Sequence, residues 1–199
     1  MAADFNFTLF ALSSAVVLLT PGPTNTLLAV AGAGRNMRGM LPLFAAELVG
    51  YLIAISVWGV VLAPVQHHCP WLGMAVRIAS SIYLTYIAVK LWRTARTQSA
   101  DGRQSISPRG LLLVTLLNPK GLLFPTAIFP ANAFDTMQIY AVSMITFSCL
   151  LIPIGMIWAR FGSALGSGRI KYVTPVKLQR ITALVIAAFS ASIAWNAFH

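Results

Sequence analysis

Acidic residues are almost missing from this chain. Asp4, Glu47, Asp101 and Asp135 are the only four in 199 residues, and charged residues of both signs make up just 9%. A water-soluble domain carries roughly 25%. With 58% hydrophobic residues, there is too little polar surface to coat a globule in water, so the solvent for most of this surface is lipid. Cysteine is equally scarce. Cys69 and Cys149 have no near neighbour of their kind, which excludes a metal or redox motif built on closely spaced thiols and leaves a single loop-to-span disulfide as the only pairing available. There is no HExxH, no GxSxG and no pair of acids within an apolar segment. A membrane-embedded hydrolase would lack its machinery, so no enzyme and no cofactor is expected. The P-loop pattern is also missing, so the chain has no ATPase of its own.

What is present is long apolar stretches. A membrane helix needs about 20 predominantly apolar residues. Six candidates occur, at 5–32, 40–63, 71–92, 110–131, 137–159 and 178–198, with residues 93–109 as a polar, basic loop. The start, MAADFNF, carries Asp4 but no Lys or Arg, and no small-residue cleavage site follows, so the first stretch is expected to remain as a span. All six form one polytopic domain, 1–199.

A formal charge of +10 raises the question of nucleic acid, and its distribution answers it. Arg35 and Arg38 follow the first span. Lys90, Arg93, Arg96, Arg103 and Arg109 surround the third gap, and Arg160, Arg169, Lys171, Lys177 and Arg180 the fifth. The N-terminal tail, the 64–70 and 132–136 gaps and the C-terminus have none. Basic and plain ends alternate, as six spans with both termini outside require. The charge is topological, with contacts to anionic lipid heads and none to nucleic acid.

The halves echo each other. LLTPGP at 18–23 returns as LLNPKG at 116–121, and Pro119 follows Pro21 by 98 residues. Either a short string has recurred by chance in a leucine-rich chain, or the halves are two three-helix repeats, about 5–92 and 110–198, inserted in opposite senses. The second reading makes an all-α membrane fold with helices 1 and 4 broken at proline motifs, and such paired interruptions mark midplane transport sites.

Pro21 and Pro23 free carbonyls one turn earlier, and Gly22 lets the backbone turn. Irregular backbone at membrane depth is tolerated where it is buried in protein or lines a wet cavity. A half-helix starting near Thr24 offers free N–H groups to a carboxylate, with Thr20, Thr24, Asn25 and Thr26 around it. The other reading is a kink that only shapes packing. Asn118, Pro119 and Lys120 repeat the arrangement with a charge added. Measured from Arg109, Lys120 lies roughly 16 Å in at 1.5 Å per residue, about halfway through the hydrocarbon core. It either meets a substrate carboxylate or snorkels to the basic face. Glu47 is the single acid in any of the six spans, at a depth of roughly 14 Å from Arg38. Three roles are open to it: a charge pair with Lys120, a proton-carrying carboxylate, or a counter-charge for a cationic substrate.

Other positions carry less. Ser80, Ser81, Tyr83 and Tyr86 recur at helical spacing on the third span, as in close helix packing. Trp58, Trp92, Trp158 and Trp195 are expected as interface anchors, His67 and His68 as solvated loop residues, and Arg77 as a lipid-head contact or gate residue.

TPGPTN at 20–25 resembles the first-span signature of the LysE/RhtB amino-acid exporters. The basic turn Arg35 to Gly39, AELVG at 46–50 and RIASSIYLTYIAVKLWR at 77–93 are similar to the segments that follow it there. LLNPKGLLF at 116–124 matches the fourth-span signature closely. Thr24 and Glu47 depart from it: Asn or Asp is more usual after PGP, and an apolar or small residue at the position of Glu47. The resemblance implies a small protein of the bacterial inner membrane that exports amino acids or related metabolites by proton antiport, driven by the proton gradient. Its partners would be the substrate, protons, lipid and, as small transporters often pair, a second copy. Distant relatives of the family move divalent metals. That alternative needs several His, Asp, Glu or Cys ligands in the spans, where this chain offers Glu47 and Cys149, so no metal site is expected.

Overall fold

The computed structural model describes residues 7–62, 71–100, 106–130, 132–167 and 174–198, and every regular element among them is helical. Helix α1 (Phe7–Leu19) stops just before Pro21, and α2 (Pro23–Gly34) starts from Gly22 in an extended conformation, its axis bent by 58° from that of α1. Proline suits the first position of α2 because its missing N–H would be unpaired there anyway. Helix α3 (Met37–Ser56) is capped by the Asn36 side chain, which accepts from Gly39 N at 2.8 Å, and continues as a π-helical turn, Val57–Leu62. Helix α4 is Trp71–Ala100. Helix α5 (Pro108–Leu116) is capped by Ser107, and α6 (Pro119–Leu123) by Asn118, before a second π-helical turn at Phe124–Ile128. Helices α7 (Met137–Gly166) and α8 (Pro175–Phe198) complete the described chain.

Two helices outrun the expected spans. Helix α4 continues past residue 92 because RTARTQSA contains no glycine or proline, and the Thr94 hydroxyl folds back onto Lys90 O at 2.9 Å. Helix α7 continues past residue 159 because its last turns pack on α2. Among the described residues three helices are long and apolar enough to cross a membrane, and a fourth crossing follows if α1 and α2 count as one. Helices α5 and α6 are separate short pieces, Pro108–Leu116 and Pro119–Leu123.

The distribution of polarity is that of a chain solvated by lipid. Leu9, Leu12, Val16, Ile53, Ile145 and Leu184 face outward, whereas Thr24, Glu47, Thr115, Asn118, Lys120, Ser143 and Ser190 are buried. Without a hydrophobic drive between helices, small residues and hydrogen bonds must hold them. Helix α2 packs on α7, α3 on α5 and α4 on α8. A Cβ on Gly162 would overlap the Ala29 carbonyl and one on Gly32 the Ala159 carbonyl, so these backbones touch directly. A Cβ on Gly50 would come within 2.8 Å of Thr115 Cβ. Between α4 and α8, Ser190 Oγ bonds Thr85 Oγ1 at 2.7 Å and Ser81 O at 2.8 Å.

Among the described residues, Arg35, Lys90, Arg160 and Arg180 lie toward one end. Arg35 at the close of α2 donates to Ile106 O before α5 at 3.0 Å, and Arg180 near the start of α8 lies 5.0 Å over the Trp92 ring late in α4. Arg35 and Arg160 line one cavity. Toward this basic end the core is mainly aliphatic, with Leu27, Met40, Leu43, Leu91 and Leu111. Toward the opposite, plain end it is aromatic, with Phe10, Tyr51, Phe124, Phe129 and Phe147. The polar side chains described next lie where the two meet.

Candidate functional site

Ending α1 before Pro21 leaves the carbonyls of its last turn without intrahelical donors. Local and distant donors take them up. Val16 O accepts from Thr20 N at 3.1 Å and from Thr20 Oγ1 at 2.8 Å. Leu18 O accepts from Asn25 Nδ2 at 2.7 Å, which also reaches Thr20 O at 3.0 Å. Lys120 Nζ donates to Val17 O at 2.8 Å and Thr20 O at 2.6 Å. A lysine 100 residues away in sequence thus caps the first broken helix. It gets there because Asn118, accepting from Lys120 N at 3.1 Å, starts α6 with Lys120 in its first turn.

The approach is close. A Cβ on Gly22 would come within 3.1 Å of Lys120 Cε and 3.2 Å of Nζ, so a side chain there would press on the Lys120 side chain. The ammonium therefore sits beside the residue that opens α2. That N-terminus has no side-chain cap, and Thr26 bonds backward, from N and Oγ1 to Gly22 O at 3.0 and 2.9 Å. An ammonium has three N–H donors, and two of them are used. The ammonium of Lys120 and the positive end of α2 thus lie side by side, an arrangement that suits a carboxylate.

Around it, three helical segments share a polar knot. Asn118 Nδ2 donates to Tyr51 Oη at 2.9 Å and Thr24 Oγ1 at 3.2 Å, and those hydroxyls lie 3.3 Å apart. Thr24, Asn118 and Tyr51 are 0%, 2% and 1% exposed. The two proline motifs meet here, through Thr24 and Asn118 and through Gly22 and Lys120. Thr20 and Pro21 lie at the exposed edge of the break, while Gly22, Pro23 and Asn25 are buried; Pro119 opens α6.

Glu47 is also buried, on α3 one turn before Tyr51. Its Oε2 lies 3.1 Å from where a Cβ on Gly155 would be, with Leu28 and Phe44 against the same glycine, and its Oε1 has no hydrogen-bond partner. The charge pair with Lys120 is not formed: the ammonium is turned to the α1 carbonyls, and Glu47 and Lys120 interact only through space. Helical rise gave both the same depth, but it carries no information on which way each side chain points around its helix.

Tyr51 was not singled out in the sequence, where it sits in an apolar run. Its spacing of one helical turn from Glu47 is the signal that finds it. Trp58 is buried instead of lying at an interface. His67, His68 and Cys69 lie outside the described residues, as does the Arg77 side chain. Two of the cavities toward the basic end have several polar residues in their lining. One of about 360 Å³ is lined by Gly32, Arg35, Asn36, Arg160, Ser163 and Ser167, and one of about 90 Å³ by Leu27, Lys90, Thr94, Ser107 and Val114 among others.

The model of the LysE type translocator family matches residues 15–199, from the middle of α1 to the end of the chain. The chain belongs to the LysE type translocator family. Every residue of the knot, both proline motifs and Glu47 fall inside the match. The protein is thus a membrane translocator, in accord with its apolar helices and lipid-adapted surface. Comparison with curated proteins and with solved structures gave no match.

Proposed function

We propose that this LysE type translocator is a six-span secondary exporter of amino acids or closely related polar metabolites, driven by proton antiport across the bacterial inner membrane with both termini in the periplasm. One observation carries the substrate class. The ammonium of Lys120, with a donor to spare, stands 3.2 Å from the position of a Cβ on Gly22 at the uncapped N-terminus of α2. A substrate carboxylate placed there gains a cation and a helix dipole together, and Thr24 and Asn118 supply neutral partners for the rest of the amino-acid backbone.

The packing scheme supports two inverted repeats. The first span rests on α7 through both α1 and α2, and the fourth rests on α3 through both α5 and α6, while α4 and α8 pair with each other. Exchanging the halves exchanges the first two contacts and preserves the third. Cavities at the basic end suit loading from the cytoplasm. Glu47 is the proton-exchanging group of this reading. An ionised carboxylate at such depth costs about 2.5–3.5 kcal/mol unless paired, and Glu47 forms no ion pair. It takes a proton from the outer side and releases it inward as substrate leaves.

A resistance screen tests the substrate class. Cells overproducing the protein are challenged with toxic levels of amino acids, their analogues and divalent-metal salts. Protection against one or more amino acids or analogues is expected. Protection confined to metal salts would replace this reading with metal export.

A further inference from the structure

Tyr51 belongs to two structures at once. Its hydroxyl is held by Asn118 and Thr24 in the polar knot. Its ring packs edge-on against Phe124, with centroids 6.1 Å apart, and against Phe147 at 5.6 Å. Those two rings meet at 4.7 Å, Phe129 joins them and Phe10, and Phe134 stacks on Phe129 at 6.0 Å. This aromatic layer fills the bundle on the plain side of the knot, so a substrate bound at Lys120 cannot leave outward while the layer is closed.

Two further features mark the layer as a moving part. The π-helical turns Val57–Leu62 and Phe124–Ile128 touch each other, and Gly59 of the first abuts the Phe134 ring. Such turns are rare and concentrate at functional sites. Beside the layer, on the packed pair α1 and α7, Ser14 Oγ and Ser143 Oγ are fully buried with no hydrogen-bond partner. Buried hydroxyls normally bond, at the least to a carbonyl one turn back as Ser148 and Thr146 do on α7 itself. Two orphan hydroxyls on the plain side are groups that water or substrate satisfies once the layer parts.

We propose that Tyr51 is the latch of an outer gate formed by Phe124, Phe129 and Phe147, released when the substrate takes its hydroxyl's place on Thr24 and Asn118, and that the exit route runs past Ser14 and Ser143. The inference rests on the export reading above. Coupling follows from it directly. Without substrate the knot is satisfied by Tyr51 and the outer gate stays shut. With substrate the ring loses its tether at the moment the cargo is in place, so the gate opens only for a loaded site.

The test uses a cysteine-free protein (Cys69→Ser, Cys149→Ser) with Ser14→Cys as reporter, probed from the plain side with a membrane-impermeant maleimide. Labelling should be slow at rest and accelerate when a mixture of the twenty standard amino acids is supplied at the basic side. Tyr51→Phe keeps the ring and removes the tether. It should raise resting labelling about fivefold, the equivalent of one net hydrogen bond, and abolish the acceleration. If Tyr51→Phe fails to insert, Phe147→Leu replaces it, with the same expected rise. Resting labelling at the parental rate, with substrate acceleration intact, overturns the latch. Flux assays on the same proteins separate the two levels: parental protein that moves no amino acid refutes the export reading, whereas normal export with an insensitive gate refutes only this inference.

Discussion

Lys120→Met keeps the apolar stem and removes the ammonium, and the structure gives opposite expectations for folding and for transport. For folding, Val17 O loses its partner, which costs about 1–3 kcal/mol for a buried carbonyl, whereas Thr20 O keeps Asn25 Nδ2 at 3.0 Å. Against this, the variant no longer holds an ammonium at membrane depth, a cost of about 2.5–3.5 kcal/mol. The two nearly cancel, so the protein should insert and melt within a few degrees of the parent. For transport there is no such compensation. A carboxylate loses a charge-assisted hydrogen bond worth about 1.5–3 kcal/mol, or roughly 10- to 150-fold in apparent affinity at 1.4 kcal/mol per decade. The assay pairs thermal unfolding in detergent with the concentration dependence of amino-acid flux in proteoliposomes. A variant that melts normally and transports with unchanged half-saturation would refute the substrate role of Lys120. One that fails to fold would show that its contribution is the cap on α1.

Asn25→Ala leaves Leu18 O without its donor at 2.7 Å and should destabilise by about 1–3 kcal/mol, read as a lower melting temperature; an unchanged value would mean the break is satisfied some other way. Gly162→Ala forces α2 from α7, because the new methyl overlaps the Ala29 carbonyl, and should cost about 1–3 kcal/mol or more, with poor membrane yield as the simplest readout. Glu47→Gln is close in shape and cannot carry a proton. Exchange of substrate across the membrane should continue while uphill export driven by a pH gradient stops, and pH-driven export at the parental rate would remove Glu47 from the coupling path.

The limits of sequence reading follow from what helical geometry encodes. The stop of α1 has a local cause, since Pro21 cannot donate to the preceding turn, and so does the start of α6, where Asn118 caps and Pro119 takes the first position. Such features depend on a few adjacent residues and are legible. Helix ends without a breaker are less so: hydropathy falls after Trp92 and helical propensity does not, so α4 runs on to Ala100. Azimuth is the hardest. Glu47 and Lys120 share a depth, yet one faces Gly155 and the other the α1 carbonyls. Tyr51 and the phenylalanines look like any aromatic residues in apolar runs until α3, α6 and α7 are packed together.

The most direct test of the account is flux through the purified wild-type protein. Proteoliposomes loaded with the twenty amino acids are given an inward proton gradient, and what leaves is identified and timed. The account requires export of one or more amino acids, accelerated by the gradient and abolished when it is collapsed. No amino-acid movement in either condition, or movement only of a divalent metal from vesicles loaded with its salt, would contradict it.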